Sequence, residues 1–361
     1  MHVAIDASRT TVQRVTGTEQ YAIQLIRALI HQNTPHTLTL YFRDTPASDL
    51  FPASERVEQR VIPFRRAWTH VRFAAALWAD RPDVTFVPAH TLPALFPGRG
   101  VVTVHDLGYR HFPAAHKTVS RLYLDLTTRY SARRATVVLA DSQATAADLT
   151  RFYGTSPAKI RVVYPGVDSP MIGDSGAVRH KYNLPERYFL TIGTLQPRKN
   201  IAGIVQAYTR WQQINPNDSA GLVLAGGKGW LYDPAWIAHA ENVHLPGYVD
   251  DADKGALLAG AVALVFPSLY EGFGFPAVEA MRCGTPVIAS NTSSLPELVG
   301  EAGLLVNPQD TGAIAEAMTR LSGDESLRAA LREKGYSQAQ RFTWEAAAAY
   351  TWAALEQAAG G

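Results

Sequence analysis

The segment "LYEGFGFPAVEAM" (269–281) sets two carboxylates, Glu271 and Glu279, eight positions apart with two glycines, two phenylalanines and a proline between them. "LVFPS" before it reads as a strand end, and "LYEGFG" reads as a loop. Pro276 fits the first position of the helix "FPAVEAMRC", and Gly284 fits its stop. Gly272 and Gly274 offer backbone N–H groups of the kind a phosphate-binding turn uses. Glu271 stands on the loop, within reach of a polar group of a ligand. Glu279 is expected in the first helical turn, where a carboxylate can accept hydrogen bonds from a ribose diol, as acids do in other nucleotide folds. A helix-dipole role for Glu279 and a solvated Glu271 are the alternative reading.

"GTLQPRKN" (193–200) directly follows the strand "YFLTIG". Pro197 and the helix-patterned "IAGIVQAYTRW" set Arg198 and Lys199 near a helix N-terminus. Free N–H groups, a partial positive charge and two cations together suit a pyrophosphate, although a solvated basic turn has the same composition. The glycines of "LAGGKGW" (224–230) allow a close ligand approach or simply make a tight turn. In the first half, "TVQRVTGTEQY" (11–21) brings Gly17 and Thr18 to a helix start, and "VVTVHDLGYRHFP" (101–113) puts His105 and Asp106 at a strand's carboxyl end. Asp251-Ala-Asp253 imitates an acidic metal triplet, but its polar setting reads as a helix cap. P-loop, G-x-G-x-x-G and G-x-S-x-G signatures are missing from the places where they would carry function.

Loops of this kind need strands and helices behind them. Strand-like runs occur at 2–6, 38–42, 84–87, 101–104, 136–140 and 160–164. After the Pro/Gly/Asp/Ser-rich "YPGVDSPMIGDSG" the pattern restarts at 188–193, 222–226, 243–247, 262–266, 286–290 and 302–306. Apolar strands without clean polar alternation, separated by helices, belong to parallel sheets covered on both faces. The expected fold is therefore α/β, with two doubly wound Rossmann-like domains facing each other across a cleft. The expected boundaries are 1–167, 168–342 and a final helix, 343–361, crossing back to the first domain. The 361 residues suit two domains. The net charge of +2 gives no reason to expect a nucleic-acid partner, and a single cysteine, Cys283, excludes an intrachain disulfide. "MHVAIDASRT" reads as a first strand and not as a signal peptide, and no apolar run is long enough to span a bilayer, so a cytoplasmic protein is expected.

The chain resembles the retaining glycosyltransferases of family 4, which have the two-domain GT-B fold. The resemblance rests on Glu271 to Glu279 within "EGFGFPAVEAM", on "GTLQPRKN", "TVHDL" and "YPGVD" in the expected order, and is strongest from Tyr188 to Asn307. It implies that Arg198 and Lys199 neutralise the departing diphosphate and that Glu279 holds the ribose hydroxyls. It also implies that Glu271 contacts the donor sugar and that Gly272, Phe273, Gly274 and Phe275 lie against sugar and phosphate. His105 is similar to the histidine that contacts the sugar, and Gly17 to the glycine near the β-phosphate. Many relatives have an arginine where this chain has Thr194, and a double glycine where it has Gly17-Thr18.

The implied reaction moves a hexose, mannose by the flavour of "PRKN", from a nucleotide-diphosphate sugar such as GDP-mannose to a glycan or lipid-linked acceptor, with no metal and no other cofactor. "VIPFRRAWTHVRFAAALWADR" (61–81) mixes Arg65, Arg66 and Arg72 with Trp68, Phe73 and Trp78. It reads either as an interfacial helix making a peripheral membrane contact or as an amphipathic helix packed inward. A GT-B sugar-nucleotide epimerase and a non-catalytic two-lobed sugar-binding protein are the competing functions.

Overall fold

In the computed structural model, which describes residues 1–12, 17–115 and 118–360, the expected apolar runs form two parallel sheets. The first contains β1 (His2–Asp6), β2 (Thr37–Phe42), β3 (Val57–Val61), β4 (Val84–Val87), β5 (Arg99–Val104), β6 (Val137–Ala140) and β7 (Ile160–Val162), in the order β3-β2-β1-β4-β5-β6-β7. The second contains β8 (Tyr188–Ile192), β9 (Gly221–Ala225), β10 (Val243–Gly247), β11 (Ala263–Phe266), β12 (Val287–Ser290) and β13 (Gly303–Val306), in the order β10-β9-β8-β11-β12-β13. Each sheet starts in its middle and changes winding direction beside its first strand. β1 lies between β2 and β4, and β8 between β9 and β11. Loops at the carboxyl ends next to such a switch point are where open α/β sheets bind ligands.

Successive strand residues face opposite sides, so a doubly covered strand needs apolar side chains on both. Val3, Ile5, Leu40, Phe86, Val101 and Leu139 enter one core of the first sheet, while Ala4, Tyr41, Val87, Val102, Val104 and Val138 enter the other. The helix Gly17–His31 and the terminal helix Trp344–Gly360 cover the former face through Leu25, Leu29, Trp352 and Leu355. Trp352 Nε1 donates to the Leu29 carbonyl at 3.3 Å. In the second sheet Phe189, Leu222, Leu224 and Val265 pack with Tyr208 and Trp211 of the helix Ile201–Ile214. By their internal packing the residues form two units, Met1–Gly166 with Phe342–Gly361, and Val167–Arg341.

Two local expectations change. β3, "VEQRV", was not among the expected strands because it has no apolar run. It is an edge strand of the sheet and its side chains are largely exposed, so pairing with β2 suffices to hold it. The segment 61–81 is not one interfacial helix: it becomes helical from Thr69, through a π-turn Thr69–Phe73 into Ala74–Asp80. Trp68 and Phe73 are buried and stacked at 5.2 Å, and Trp68 Nε1 donates to the Ile62 carbonyl at 2.8 Å; Trp78 stays exposed. Among the described residues no helix is long and apolar enough to cross a membrane.

Candidate active site

The turn after β8 is built to meet the loop after β11. Gly193 has φ 131°, Thr194 is exposed, and Pro197–Lys199 forms a single 3-10 turn ended by Asn200 at φ 60°. Asn200 Nδ2 donates to the carbonyls of Pro267 (3.2 Å) and Pro308 (2.6 Å), and the Leu269 N–H donates to the Arg198 carbonyl at 2.9 Å. This docking brings together three residues that the sequence had assigned separate tasks. Arg198 Nη1 lies 2.5 Å from Glu271 Oε2 and 2.7 Å from the Tyr270 carbonyl, and Lys199 Nζ lies 2.6 Å from Glu271 Oε1. Lys199 also sits over the Phe266 ring, 4.6 Å from its centroid.

Glu271 is buried, and its backbone is fixed too: its N–H donates to Ser293 Oγ at 3.1 Å and its carbonyl accepts from Ser294 Oγ at 3.0 Å. Burial alone would raise the carboxyl's pKa. Lys199 and Arg198 outweigh it and pull the group down to about 2. The solvated Glu271 of the alternative sequence reading is thus excluded. The two cations are not independent charges: with the ionised carboxylate the trio carries one net positive charge. Each oxygen of Glu271 still has lone-pair capacity beyond its cation.

The helix Phe275–Arg282 begins one residue earlier than expected, so Pro276 is its second residue, and Gly284 at φ 74° follows its end. Glu279 is therefore in the second turn and not the first, because five helical residues precede or include it. Lys254 Nζ holds its Oε1 at 2.5 Å, while its Oε2 is buried with no hydrogen-bond partner among the described residues. Gly274 has φ 125°, and a Cβ there would lie 2.7 Å from Leu295 Cδ2, so packing as well as backbone geometry requires glycine. Gly272 and Phe273 are buried beside it, and the Phe273 and Phe275 rings meet edge to face at 5.0 Å. In "LAGGKGW", Gly226 serves the fold: a Cβ would sit 2.0 Å from the Gly193 carbonyl oxygen. At Gly229 a Cβ would lie 2.5 Å from Thr194 Cγ2. Asp253 does not cap its helix. Its carboxylate takes Lys181 (2.6 Å) and the Tyr182 hydroxyl (2.8 Å).

In the first unit the helix Gly17–His31 starts at Gly17, and no described atom beyond its chain neighbours would meet a Cβ there within 4 Å. Residues 13–16 of the loop before it lie outside the described residues. His105, immediately after β5, is buried with both ring nitrogens engaged: Nδ1 to Asp141 Oδ2 at 2.7 Å and Nε2 to the Pro88 carbonyl at 3.3 Å. Burial disfavours the imidazolium, but Asp141 more than offsets it and the pKa is raised. Both partners accept hydrogen bonds, which suits the doubly protonated ring. The His105 N–H donates to His90 Nε2 at 3.3 Å, and the edge of His105 meets Tyr21 at 4.7 Å between centroids. His90 is pushed down to about 4 by burial and by the positive charge of His105. Asp106 turns away to cap Gly108 N–H at 2.7 Å.

Residues 15–169 match the family described as Glycosyltransferase Family 4, and residues 177–338 match Glycosyl transferases group 1. O-antigen chain mannosyltransferase B of Escherichia coli is 32% identical over 361 residues, covering 92% of this chain and 93% of that protein. The chain belongs to glycosyltransferase family 4. As a family 4 protein it is a glycosyltransferase enzyme, and further similarity is found to the MMP alpha-(1->4)-mannosyltransferase of Mycolicibacterium hassiacum, 30% identical over 244 residues (63% of this chain, 55% of that protein). Sucrose-phosphate synthase from Thermosynechococcus elongatus shares the fold with a TM-score of 0.75 at 23% identity, covering 99% of this chain and 98% of that one. HepE of Anabaena, solved in complex with UDP and glucose, gives 0.73 at 17% identity, covering 98% and 99%. The two Rossmann-like sheets are those of the GT-B fold.

Sequence reasoning on this family 4 chain missed Asp141, His90 and Lys254. The signal for Asp141 lies in the register: Val104 of β5 pairs with Ala140 of β6, so the next residues, His105 and Asp141, emerge side by side. That signal becomes readable only once β5 and β6 are known to be neighbours.

Proposed function

We propose that the enzyme transfers a hexose, mannose in the favoured reading, from a nucleotide-diphosphate sugar, GDP-mannose, to a glycan or lipid-linked acceptor on the cytoplasmic side of a membrane, with retention at the sugar carbon and without a metal. The observation that carries the reading is the Arg198–Glu271–Lys199 cluster at the carboxyl ends of β8 and β11. Breaking the C1–O bond sends an electron pair to the diphosphate. Arg198 and Lys199 are placed to stabilise that charge, and Glu271 keeps both cations aimed while accepting hydroxyls of the sugar. Gly272 to Phe275 would lie against sugar and phosphate, with Thr194 leaving one phosphate contact to Arg198. Oε2 of Glu279, buried with no partner among the described residues, is suited to a ribose hydroxyl. The acceptor hydroxyl attacks on the face that the leaving group vacates, and its proton passes to the leaving phosphate. In the first unit, Gly17 and His105 are the candidate substrate contacts. The similarity to O-antigen chain mannosyltransferase B supports a mannosyl donor, and its extent favours transfer over epimerisation or binding alone.

A thermal-shift panel of GDP, UDP, ADP and their sugar derivatives, with and without EDTA, tests the reading. At about 100 times its Kd a ligand adds roughly 2.7 kcal/mol. The expected result is a shift with GDP and GDP-mannose that EDTA leaves unchanged. No shift with any nucleotide would overturn the donor site, and a shift abolished by EDTA would overturn metal independence.

A further inference from the structure

The helix Thr118–Arg134 is built inside out. Its protein-facing side is mostly polar, with Leu124 and Ala132 reaching the core beneath. Arg121 donates to the Pro113 carbonyl (3.2 Å), Asp125 accepts the Tyr153 hydroxyl (2.8 Å) and pairs with Arg110 (3.4 Å), and Ser131 Oγ accepts the Leu92 N–H (2.9 Å). Arg134 spans the carbonyls of Phe96 and Gly98. Its outward side, at helical spacing, carries Val119, Leu122, Tyr123 and Leu126, which are 81%, 56%, 52% and 56% exposed. A helix on a water-facing surface normally does the reverse. The stripe also extends sideways. His70 Nε2 meets the Tyr123 hydroxyl at 3.3 Å, and His70 Nδ1 accepts the Ala94 N–H at 3.2 Å. These bonds tie in Val71 and Leu95, which are 50% and 75% exposed.

Charge decides what covers this face. Residues 62–135 contain eleven lysines and arginines against four aspartates and no glutamate, in a chain whose net charge is only +2. All four aspartates are engaged: Asp80 by Arg60, Asp83 by the His2 N–H, Asp106 by the Gly108 N–H and Asp125 by Arg110. Arg65, Arg66, Arg72, Arg129 and Arg133 are exposed. A second copy of the same face would set arginines against arginines. An anionic bilayer answers both features: the apolar stripe enters the headgroup boundary while the arginines reach lipid phosphates.

We propose that the helix Thr118–Arg134, with Val71 and Leu95, is the surface by which this glycosyltransferase docks on an anionic membrane. The proposal deepens the lipid-linked-acceptor reading, on which its biological sense rests, yet lipid binding needs neither donor nor acceptor. The test is co-sedimentation with vesicles of phosphatidylcholine alone or with about one third phosphatidylglycerol. Wild type is compared with Leu122→Ser/Leu126→Ser and Arg129→Glu/Arg133→Glu, and the nucleotide thermal shift is recorded on the same samples. Wild type should bind the anionic vesicles only, less at high salt. The leucine pair should weaken binding by at least about tenfold, as expected when two leucines no longer leave water. The arginine pair should abolish the preference for anionic lipid. A wild type that stays in solution at low salt, or equal binding by all three proteins, overturns the proposal. So does a solution dimer that the leucine pair dissociates. Loss of the nucleotide shift in wild type counts against the donor site and leaves the docking result standing; retention of wild-type melting by the variants shows that they fold.

Discussion

Glu271 in the second unit and Asp141 in the first are both buried carboxylates just beyond the carboxyl end of a parallel strand, and both face cations. Glu271 has two that never lose charge near neutrality, one for each oxygen, and they hold its carboxyl at about 2 despite burial. Asp141 has one that does, His105. Burial raises the Asp141 carboxyl and the imidazolium pulls it back only in part, while Asp141 Oδ1 is buried with no hydrogen-bond partner among the described residues. A buried carboxylate beyond the carboxyl end of a strand thus serves two purposes. Lys and Arg make a fixed charge whose geometry persists across physiological pH. His makes a charge that responds to it.

The comparison breaks first at Glu271. Glu271→Gln leaves Arg198 and Lys199 close together, largely buried and without their counter-charge. Removing one partner of a buried ion pair costs about 3–5 kcal/mol. The lower end applies because Arg198 and Lys199 side chains keep 21% and 12% of their exposure. Urea denaturation should show a loss of about 3 kcal/mol, and transfer activity should fall with it. Lys199→Ala should lose most transfer with a smaller loss of stability, since Arg198 still neutralises the carboxylate. A Glu271→Gln protein as stable and as active as wild type would mean that the trio neither holds the loop nor acts in the reaction.

The two carboxylates also predict opposite pH limits. Glu271 has a depressed pKa, so its contribution is complete above the unfolded value of about 4.3 and disappears as pH falls through about 2. His105 has a raised pKa, so its contribution is complete below the unfolded value of about 6.5 and disappears as pH rises through its folded value. Asp141→Asn should remove the alkaline limit and leave the acid one. It should cost about 2 kcal/mol where Asp141 is ionised and His105 still charged, the loss expected for a buried hydrogen bond to a charged group. Histidine C–H resonances followed by NMR would report it directly, with the His105 midpoint moving down. An unmoved midpoint would show that Asp141 does not set the charge of the ring.

Most strands could be read directly because a doubly covered parallel strand is largely apolar, as "VVLA" and "ALVF" are. β3 could not be, since an edge strand needs no buried face and "VEQRV" has none. Arg198, Lys199 and Glu271 were legible as residue types at strand ends. Their union was not, because it depends on β11 lying next to β8, a neighbour remote in sequence. The inverted helix Thr118–Arg134 was illegible for a related reason. Its apolar spacing promises an inward stripe, and only the polar contacts of Asp125, Ser131 and Arg134 show that the stripe faces out.

Glu279 offers the finest test, since it is a third kind of carboxylate: one oxygen is held by Lys254 and the other is idle among the described residues. If the idle oxygen waits for a ligand hydroxyl, Glu279→Gln should barely disturb the fold. Lys254 is 27% exposed and can turn to water, so a loss of about 1 kcal/mol or less is expected. The same change replaces a charged acceptor by a neutral one and should weaken nucleotide binding by about tenfold, near 1.4 kcal/mol. Calorimetric titration with GDP alongside urea denaturation separates the two roles. A large stability loss with unchanged affinity would make Glu279 a partner of Lys254 only, placing it with Glu271 as a holder of the loop and withdrawing it from the ribose.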